Sequence, residues 1–232
     1  MTESSDSAPA HIGYIVDGNR RWAKEHGLPK YEGHLAGYNA IQDIAKATFD
    51  AGVKYMSAYV FSTENWKRSE DEVGKLMGLV LRLVKSDLHL FQENNIRLRI
   101  IGSKQNVSDK ILAAIDEAQE ATKDNTAGTL ILCFNYGGHV ELADAMNKIM
   151  ASDVKPGDIT PELIEQHLYA PDVPACDVIV RTSGEQRLSN FMLWRSAYSE
   201  FIFLDKNWPD MTKQDVTDIL LEYKRRGRRF GG

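Results

Sequence analysis

The sequence predicts a single α/β domain: a largely parallel sheet of about six strands covered by helices on both faces. Three observations predict it. Short apolar runs alternate with helical patterns along the chain, the signature of parallel strands joined by crossover helices. Runs such as Leu130–Phe134 (LILCF) are continuously apolar, as strands buried on both faces require. After residue 10, no low-complexity block, internal repeat or linker divides the 232 residues. The richest Pro/Gly stretch, Pro156 to Pro174, still contains a helical pattern.

Each element has a local reason. His11–Val16 reads as the first strand. Leu35–Ala51 reads as a helix stopped by Gly52. Val53–Val60 is strand-like. Ser69 with Glu72 forms a capping box that opens a long helix to about Glu93. Ile96–Ile101 is a strand carrying Arg97 and Arg99, which read as solvated or paired edge residues. Ser108–Thr122 is amphipathic, with Ile111, Leu112, Ile115 and Ala118 along one stripe. Thr129–Phe134 is a strand, Val140–Met150 a helix and Thr160–Leu168 a shorter helix. Val178–Val180 and Phe201–Leu204 are strands. Thr212 with Asp215 starts the last helix, which runs into Tyr223–Arg229.

Composition excludes several classes. The chain is 43% hydrophobic and 26% charged, as ordinary globular proteins are. Its two cysteines, Cys133 and Cys176, form no CxxC pair, so neither a disulfide framework nor a cysteine-bound metal is expected, and a reducing cytoplasm fits. A net charge of −5 argues against a nucleic-acid partner. Residues 1–10, MTESSDSAPA, read as a flexible polar tail without the basic and apolar regions of a signal peptide. No apolar stretch is long enough to span a bilayer. Peripheral membrane contact stays open.

The unusual residues fall at strand ends. They are Asp17-Gly18-Asn19-Arg20-Arg21-Trp22, then Phe61 to Arg68, Asn135 to His139, and Arg181 to Ser189. In an open parallel sheet the loops beyond the strand C-termini meet at one edge, where ligands bind. That edge would gather Arg20, Arg21, Arg68, Arg181 and Arg187 with the hydroxyls of Ser62, Thr63 and Ser189. Arginine forks and helix N-termini both attract phosphate, so the expected ligand carries more than one phosphate. Asp17 and Glu200 are the acids of this arrangement, and carboxylates among phosphates commonly hold Mg²⁺. Each feature alone has a plainer meaning. Asp17-Gly18 is a turn signal, Glu200 a strand-end acid, Trp22 and Trp66 packing residues, and His34 a helix start. Lys224–Arg229 reads as a solvated helix end. Joint placement favours a site.

The residues His11–Ala23 with Gly33-His-Leu-Ala-Gly37 closely resemble the first signature of the cis-prenyltransferases. Tyr59–Trp66 resembles the second. Asn135-Tyr-Gly-Gly138, Arg181–Asn190, Trp194 with Ser199-Glu200-Phe201, and Arg228–Gly232 resemble the later ones. The likeness covers residues 11–232, the expected catalytic domain. It implies chain elongation with isopentenyl diphosphate to a Z-polyprenyl diphosphate, as in undecaprenyl diphosphate synthase. A short-chain synthase and a non-catalytic accessory subunit are the alternatives. Accessory subunits typically lose catalytic motifs, whereas Asp17, Asn65, Arg181, Arg187 and Glu200 are present. A trans-prenyltransferase would need aspartate-rich motifs, and no Asp-Asp pair occurs. A dehalogenase-type phosphatase would need Asp where Asn19 stands.

By the same resemblance, Asp17 and Glu200 hold Mg²⁺. Gly18, Asn19, Arg20 and Arg21 cradle the allylic diphosphate with Lys30, His34 and Arg68. Arg181, Arg187, Leu188 and Ser189 take the isopentenyl diphosphate. Asn65 is the family's proposed proton acceptor, with Ser62, Thr63 and Glu64 beside it, and Trp22 and Trp66 wall the pocket. An amide is a weak base, which points to Asn65 as an orienting group and to a diphosphate oxygen as acceptor. In family homodimers the C-terminal tail reaches the partner's site, where Arg229 and Gly231 would help. Three residues depart from the commonest pattern: Val16 for Met, Arg20 for Gly, and Lys30 for Arg, which keeps charge but loses the fork. A dry tunnel is expected along Leu76, Met77, Leu79, Val80, Leu81, Leu83 and Val84, narrowed by Val60. An apolar product implies transient contact with a bilayer.

Overall fold

A computed structural model describes residues 8–226. Six strands form one parallel sheet: β1 (His11–Ile15), β2 (Tyr55–Ser62), β3 (Ile96–Ile101), β4 (Gly128–Tyr136), β5 (Val178–Arg181) and β6 (Glu200–Phe203). Their order is β3-β4-β2-β1-β5-β6. The helices are α1 (Asn19–Glu25), α2 (Lys30–Asp50), α3 (Glu70–Val84), α4 (Leu88–Glu93), α5 (Asp109–Ala121), α6 (Gly138–Met150), α7 (Pro161–His167) and α8 (Lys213–Arg226). The predicted architecture is thus the observed one.

Period-two alternation sorts the strands between two cores. On β4, Leu130, Leu132 and Phe134 enter the larger core beneath α2, α3, α5 and α8. Ile131 and Cys133 enter a smaller core with Ile179, Phe191 and Met192. Cys133 and Cys176 are buried free thiols. On edge strand β3, Arg99 pairs with Asp172 at 2.8 Å, the structural role expected of it.

Several elements differ from expectation, and α2 begins at Lys30 rather than at the expected Leu35. The helix read as running from Ser69 to Glu93 breaks after Val84. At the break, the Asp87 carboxylate accepts from Tyr38 Oη (2.6 Å) and Arg82 Nε (2.9 Å). Tyr38 comes from α2, so a tertiary contact turns the chain where the local pattern continues. The short helix α1 was not expected, because its apolar content is too small to show a stripe. The caps behave as expected: Ser69 Oγ accepts from Glu72 N at 3.4 Å, and the Asp215 carboxylate accepts from Thr212 N at 2.7 Å.

His11 is fully buried in β1, with Nε2 2.8 Å from Ser57 Oγ and Nδ1 2.8 Å from the Pro174 carbonyl. Nδ1 must donate to that carbonyl, so Nε2 accepts from the serine and the ring is neutral. Burial lowers its pKa from 6.5 to about 4. A depressed histidine stabilises the fold fully above its unfolded value, and that contribution is lost as pH falls from about 6.5 toward about 4. The loss is worth roughly 3 kcal/mol across that window. Urea midpoints at pH 7 and pH 5 check it: His11→Gln should flatten the fall seen in the wild type.

Candidate active site

The site is built at the C-terminal edge of the sheet, where β1, β2, β4 and β5 end. Gly18 follows β1 with φ +103°, in the left-handed region open to glycine. A Cβ there would also lie 2.5 Å from Asn207 Oδ1. The backbone of Asp17 is clamped by two segments distant in sequence. Thr182 Oγ1 donates to Asp17 O (2.7 Å) and accepts from Asp17 N (3.0 Å), while Trp208 N donates to Asp17 O (2.9 Å).

The Asp17 carboxylate thereby faces the edge with its oxygens divided. Oδ1 accepts from Gly18 N and Oδ2 from Arg181 Nη2, both at 2.8 Å. The Arg181 side chain is 4% exposed and Asp17 36%. Arg181 Nη1 reaches Ser189 Oγ at 2.8 Å and the Arg187 carbonyl, whereas its Nε is buried without a partner. Ser183, Ser189, Asn190 and Met192, in the loop that surrounds this guanidinium, take positive φ, as does Asn135 near the end of β4. Such strain among non-glycine residues gathers at functional sites.

Gly33 and Gly37, one turn apart on α2, let the start of α1 approach at backbone distance. A Cβ at Gly33 would lie 2.0 Å from the Asn19 carbonyl oxygen, and one at Gly37 2.3 Å from Asn19 Oδ1. Gly33→Ala should therefore destabilise the fold by about 1–3 kcal/mol despite alanine's better helix propensity. Gly74 on α3 has open space instead, so Gly74→Ala should stabilise by about 0.5–1 kcal/mol. Chemical denaturation of the two variants measures the opposite signs.

Two polar clefts meet at Val16, Asp17 and Arg68. The first, about 290 Å³, is lined by Gly18, Asn19, Arg20, Arg21 and His34 besides those three. Arg20 has an ordinary helical backbone in α1, so this position does not need glycine. Arg21 donates to the Ser183 carbonyl at 2.6 Å. Arg68 pairs with Glu72 at 2.9 Å, and Glu72 lies 3.4 Å from His34 Nε2. Burial and then the Arg68 guanidinium lower the His34 pKa, opposed by Glu72. The second cleft, about 560 Å³, includes Ser62, Glu64, Asn65, His139, Arg181 and Ser189. Ser62 and Asn65 form a local capping box, with Asn65 Oδ1 accepting from Ser62 N at 3.1 Å. Glu64 accepts from Asn190 Nδ2 at 3.0 Å. Burial would raise its pKa, but Asn190 and the Ser62 and Thr63 hydroxyls hold it lowered. Thr63 and Asn190 both crowd Gly137, which leaves them room.

An apolar cavity of about 70 Å³ opens from the first cleft, sharing Val16, Asn19 and His34 with it. Leu76, Leu79, Val80, Leu83, Val84 and Val60 line it as expected. Met77 and Leu81 do not line it and pack on the flank of the main core.

Several expected site residues lie elsewhere. Glu200 begins β6 opposite Val178, the first residue of β5, and pairs with Arg226 at 3.1 Å. It therefore stands at the opposite edge of the sheet from Asp17, and one chain does not bring the two acids together. Parallel register dictates this, because the strand starts there rather than ends. Trp22 donates to Asp210 at 2.8 Å and stacks on His26, and Trp66 donates to Asn135 at 2.7 Å and packs edge-on against Phe61. Both have the plainer, packing surroundings. Leu188 packs on the smaller core. Lys30 is exposed at the first residue of α2, and Arg187 is exposed beside Glu185. Arg229 and Gly231 lie outside the described residues. Sequence reasoning placed Thr182, His139 and Asn190 in the edge loops and motifs without giving them a role, and missed Asn207 and Trp208. The edge rule that found the other loops reaches the segment after β6 too, had it been applied there.

No group of three or more acidic, histidine or cysteine side chains able to hold a metal occurs among the described residues. The accessible Asp17 carboxylate alone suits Mg²⁺, which takes one or two carboxylates plus waters and substrate phosphates.

A cationic edge with two clefts and an apolar cavity beside them suits ligands that join phosphate to hydrocarbon. Residues 15–231 match a family profile described as "Putative undecaprenyl diphosphate synthase". An isoprenyl transferase of Thermotoga maritima is 46% identical over 227 residues, covering 97% of each chain. The trans,polycis-polyprenyl diphosphate synthase ((2Z,6E)-farnesyl diphosphate specific) of Thermobifida fusca is 44% identical, covering 97% of this chain and 81% of its own. The crystal structure of lavandulyl diphosphate synthase from Lavandula x intermedia, in complex with dimethylallyl diphosphate, superposes with a TM-score of 0.93 at 34% identity, covering 97% of this chain and 99% of that one. The chain belongs to the undecaprenyl diphosphate synthase family, the cis-prenyltransferases.

Proposed function

We propose that the protein condenses an allylic prenyl diphosphate with isopentenyl diphosphate units, releasing diphosphate and building a Z-polyprenyl diphosphate. One observation carries this: two polar clefts share Asp17 and Arg68, and the apolar cavity shares Val16, Asn19 and His34 with the first but only Val16 with the second. The allylic diphosphate occupies the first cleft with its hydrocarbon in the cavity. The isopentenyl diphosphate occupies the second, against Arg181, Ser189 and the exposed Arg187. Holding both turns a bimolecular encounter into an oriented step and offsets the repulsion of two diphosphates. As the allylic C–O bond breaks, negative charge grows on the leaving diphosphate. Arg20, Arg21 and the amides at the start of α1 would stabilise it. Mg²⁺ held by Asp17 would neutralise diphosphate charge. Asn65, with its oxygen engaged by Ser62, orients the second cleft through its amide hydrogens.

The protein works as a homodimer in this proposal, with Arg229 and Gly231 completing the partner's site. The exposed Tyr198 and Phe203 beside edge strand β6 support it. No helix of the described residues is long and apolar enough to cross a membrane. A cytoplasmic enzyme that touches the bilayer transiently to deliver its product fits that. Purified protein with Mg²⁺, farnesyl or geranyl diphosphate and isopentenyl diphosphate tests the function: released diphosphate and a Z-product are expected, and neither appears in EDTA. The narrow cavity favours a shorter product as the second reading. Val60 lines that cavity, so Val60→Ala should lengthen the product, read by chromatography of the dephosphorylated alcohols.

A further inference from the structure

Resting on the proposed condensation, the second cleft raises one question of its own: what accepts the proton lost from isopentenyl diphosphate. The cleft's polar groups are almost all engaged. The Asp17 carboxylate is committed to Gly18 N and Arg181. Asn65 Oδ1 is taken by Ser62 N. Tyr59 Oη donates to the Tyr136 carbonyl at 3.1 Å, and burial pushes its pKa up, so it stays a neutral donor. Glu64 is bound by Asn190 and held lowered despite its partial burial, which weakens it as a base. Ser189 Oγ accepts from Arg181, and Arg68 is a cation paired with Glu72.

His139 is different. It is the second residue of α6, exposed, and lines the same cleft as Asn65 and Ser189. Its backbone N–H is fixed by Asn190 Oδ1 at 2.9 Å, which sets where the residue stands. Its imidazole has no hydrogen-bond partner among the described residues. A neutral imidazole has one ring nitrogen whose lone pair can take a proton.

We infer that His139 is the general base of the condensation. The π pair of isopentenyl diphosphate forms the new bond to the allylic C1. The C1–O bond breaks and its pair leaves with diphosphate. The C2–H pair becomes the new double bond, and the proton passes to the His139 ring and then to solvent.

His139→Gln, compared with wild type in single-turnover reactions under excess enzyme, tests this. Product formation should slow by about a hundredfold or more, with isopentenyl diphosphate affinity unchanged. Deuterium at C2 should slow the variant more than the wild type, and free imidazole should restore part of the rate to His139→Ala. A variant rate equal to wild type would place the proton on a diphosphate oxygen and overturn the inference. Weaker isopentenyl diphosphate binding at an unchanged rate would make His139 an anion ligand only, and overturn it too. Wild-type protein that consumes no isopentenyl diphosphate at all would overturn the proposed function, and the base with it.

Discussion

Asp17→Ala should reduce turnover by about a hundredfold or more, and Arg187→Ala by about ten- to a hundredfold through a different route. Asp17 sits where both clefts meet. Its loss removes the carboxylate available to Mg²⁺ and the anchor of Arg181. Each charge-assisted contact is worth roughly 1.5–3 kcal/mol, or about ten- to a hundredfold, and here two act together. The Arg181 guanidinium is 4% exposed and already has an unpartnered Nε. Removing its carboxylate leaves a buried charge worse satisfied, so Asp17→Ala should also lower stability by about 1–3 kcal/mol. Arg187 is 59% exposed and pairs only with Glu185 through its side chain. Arg187→Ala should leave stability unchanged and act on isopentenyl diphosphate. Steady-state kinetics together with urea unfolding of both variants separate the two routes. Near-wild-type turnover in either would show that the site is misassigned.

The largest effect on stability is expected away from the clefts, at Arg195→Met. Arg195 and Glu141 are 4% and 2% exposed and lie 2.8 Å apart. Glu141 also accepts from Tyr136 Oη and from Tyr169 N at 3.2 Å, and Arg195 Nη2 donates to the Ala170 carbonyl at 2.7 Å. Breaking one side of such a pair strands a buried carboxylate and costs about 3–5 kcal/mol. The double variant Glu141→Gln/Arg195→Met should recover part of the loss, because no unpaired charge remains. Unfolding midpoints of the wild type, both single variants and the double variant complete the cycle. The pair ties the segment after Asn190 to the start of α6, behind the His139 that lines the second cleft. Catalytic geometry should suffer with stability in the single variant.

How much was legible before folding differs by residue. The strand segments were legible, because β4 and β5 are buried on both faces and therefore read as short continuous apolar runs. The cationic edge was legible too, because polar loops follow four strands. The break at Asp87 was not, since it depends on Tyr38, 49 positions away. The packing role of Trp22 and Trp66 was legible as their plainer meaning, but not their partners Asp210 and Asn135, which are distant in sequence. Glu200 shows the limit most sharply. Its motif placed it with Asp17, yet the register of β6 against β5 puts it at the other edge.

By itself the sequence determined the α/β class, the helix caps and the set of charged loops. These follow from short-range periods and capping chemistry, which act between residues a few positions apart. Only the tertiary structure decided the strand order, the clamp of Thr182 and Trp208 on Asp17, the approach of Asn207 to Gly18, and which acid faces the clefts. Those contacts join residues more than 160 positions apart. Their geometry is set by sheet register and core packing, which no local pattern encodes.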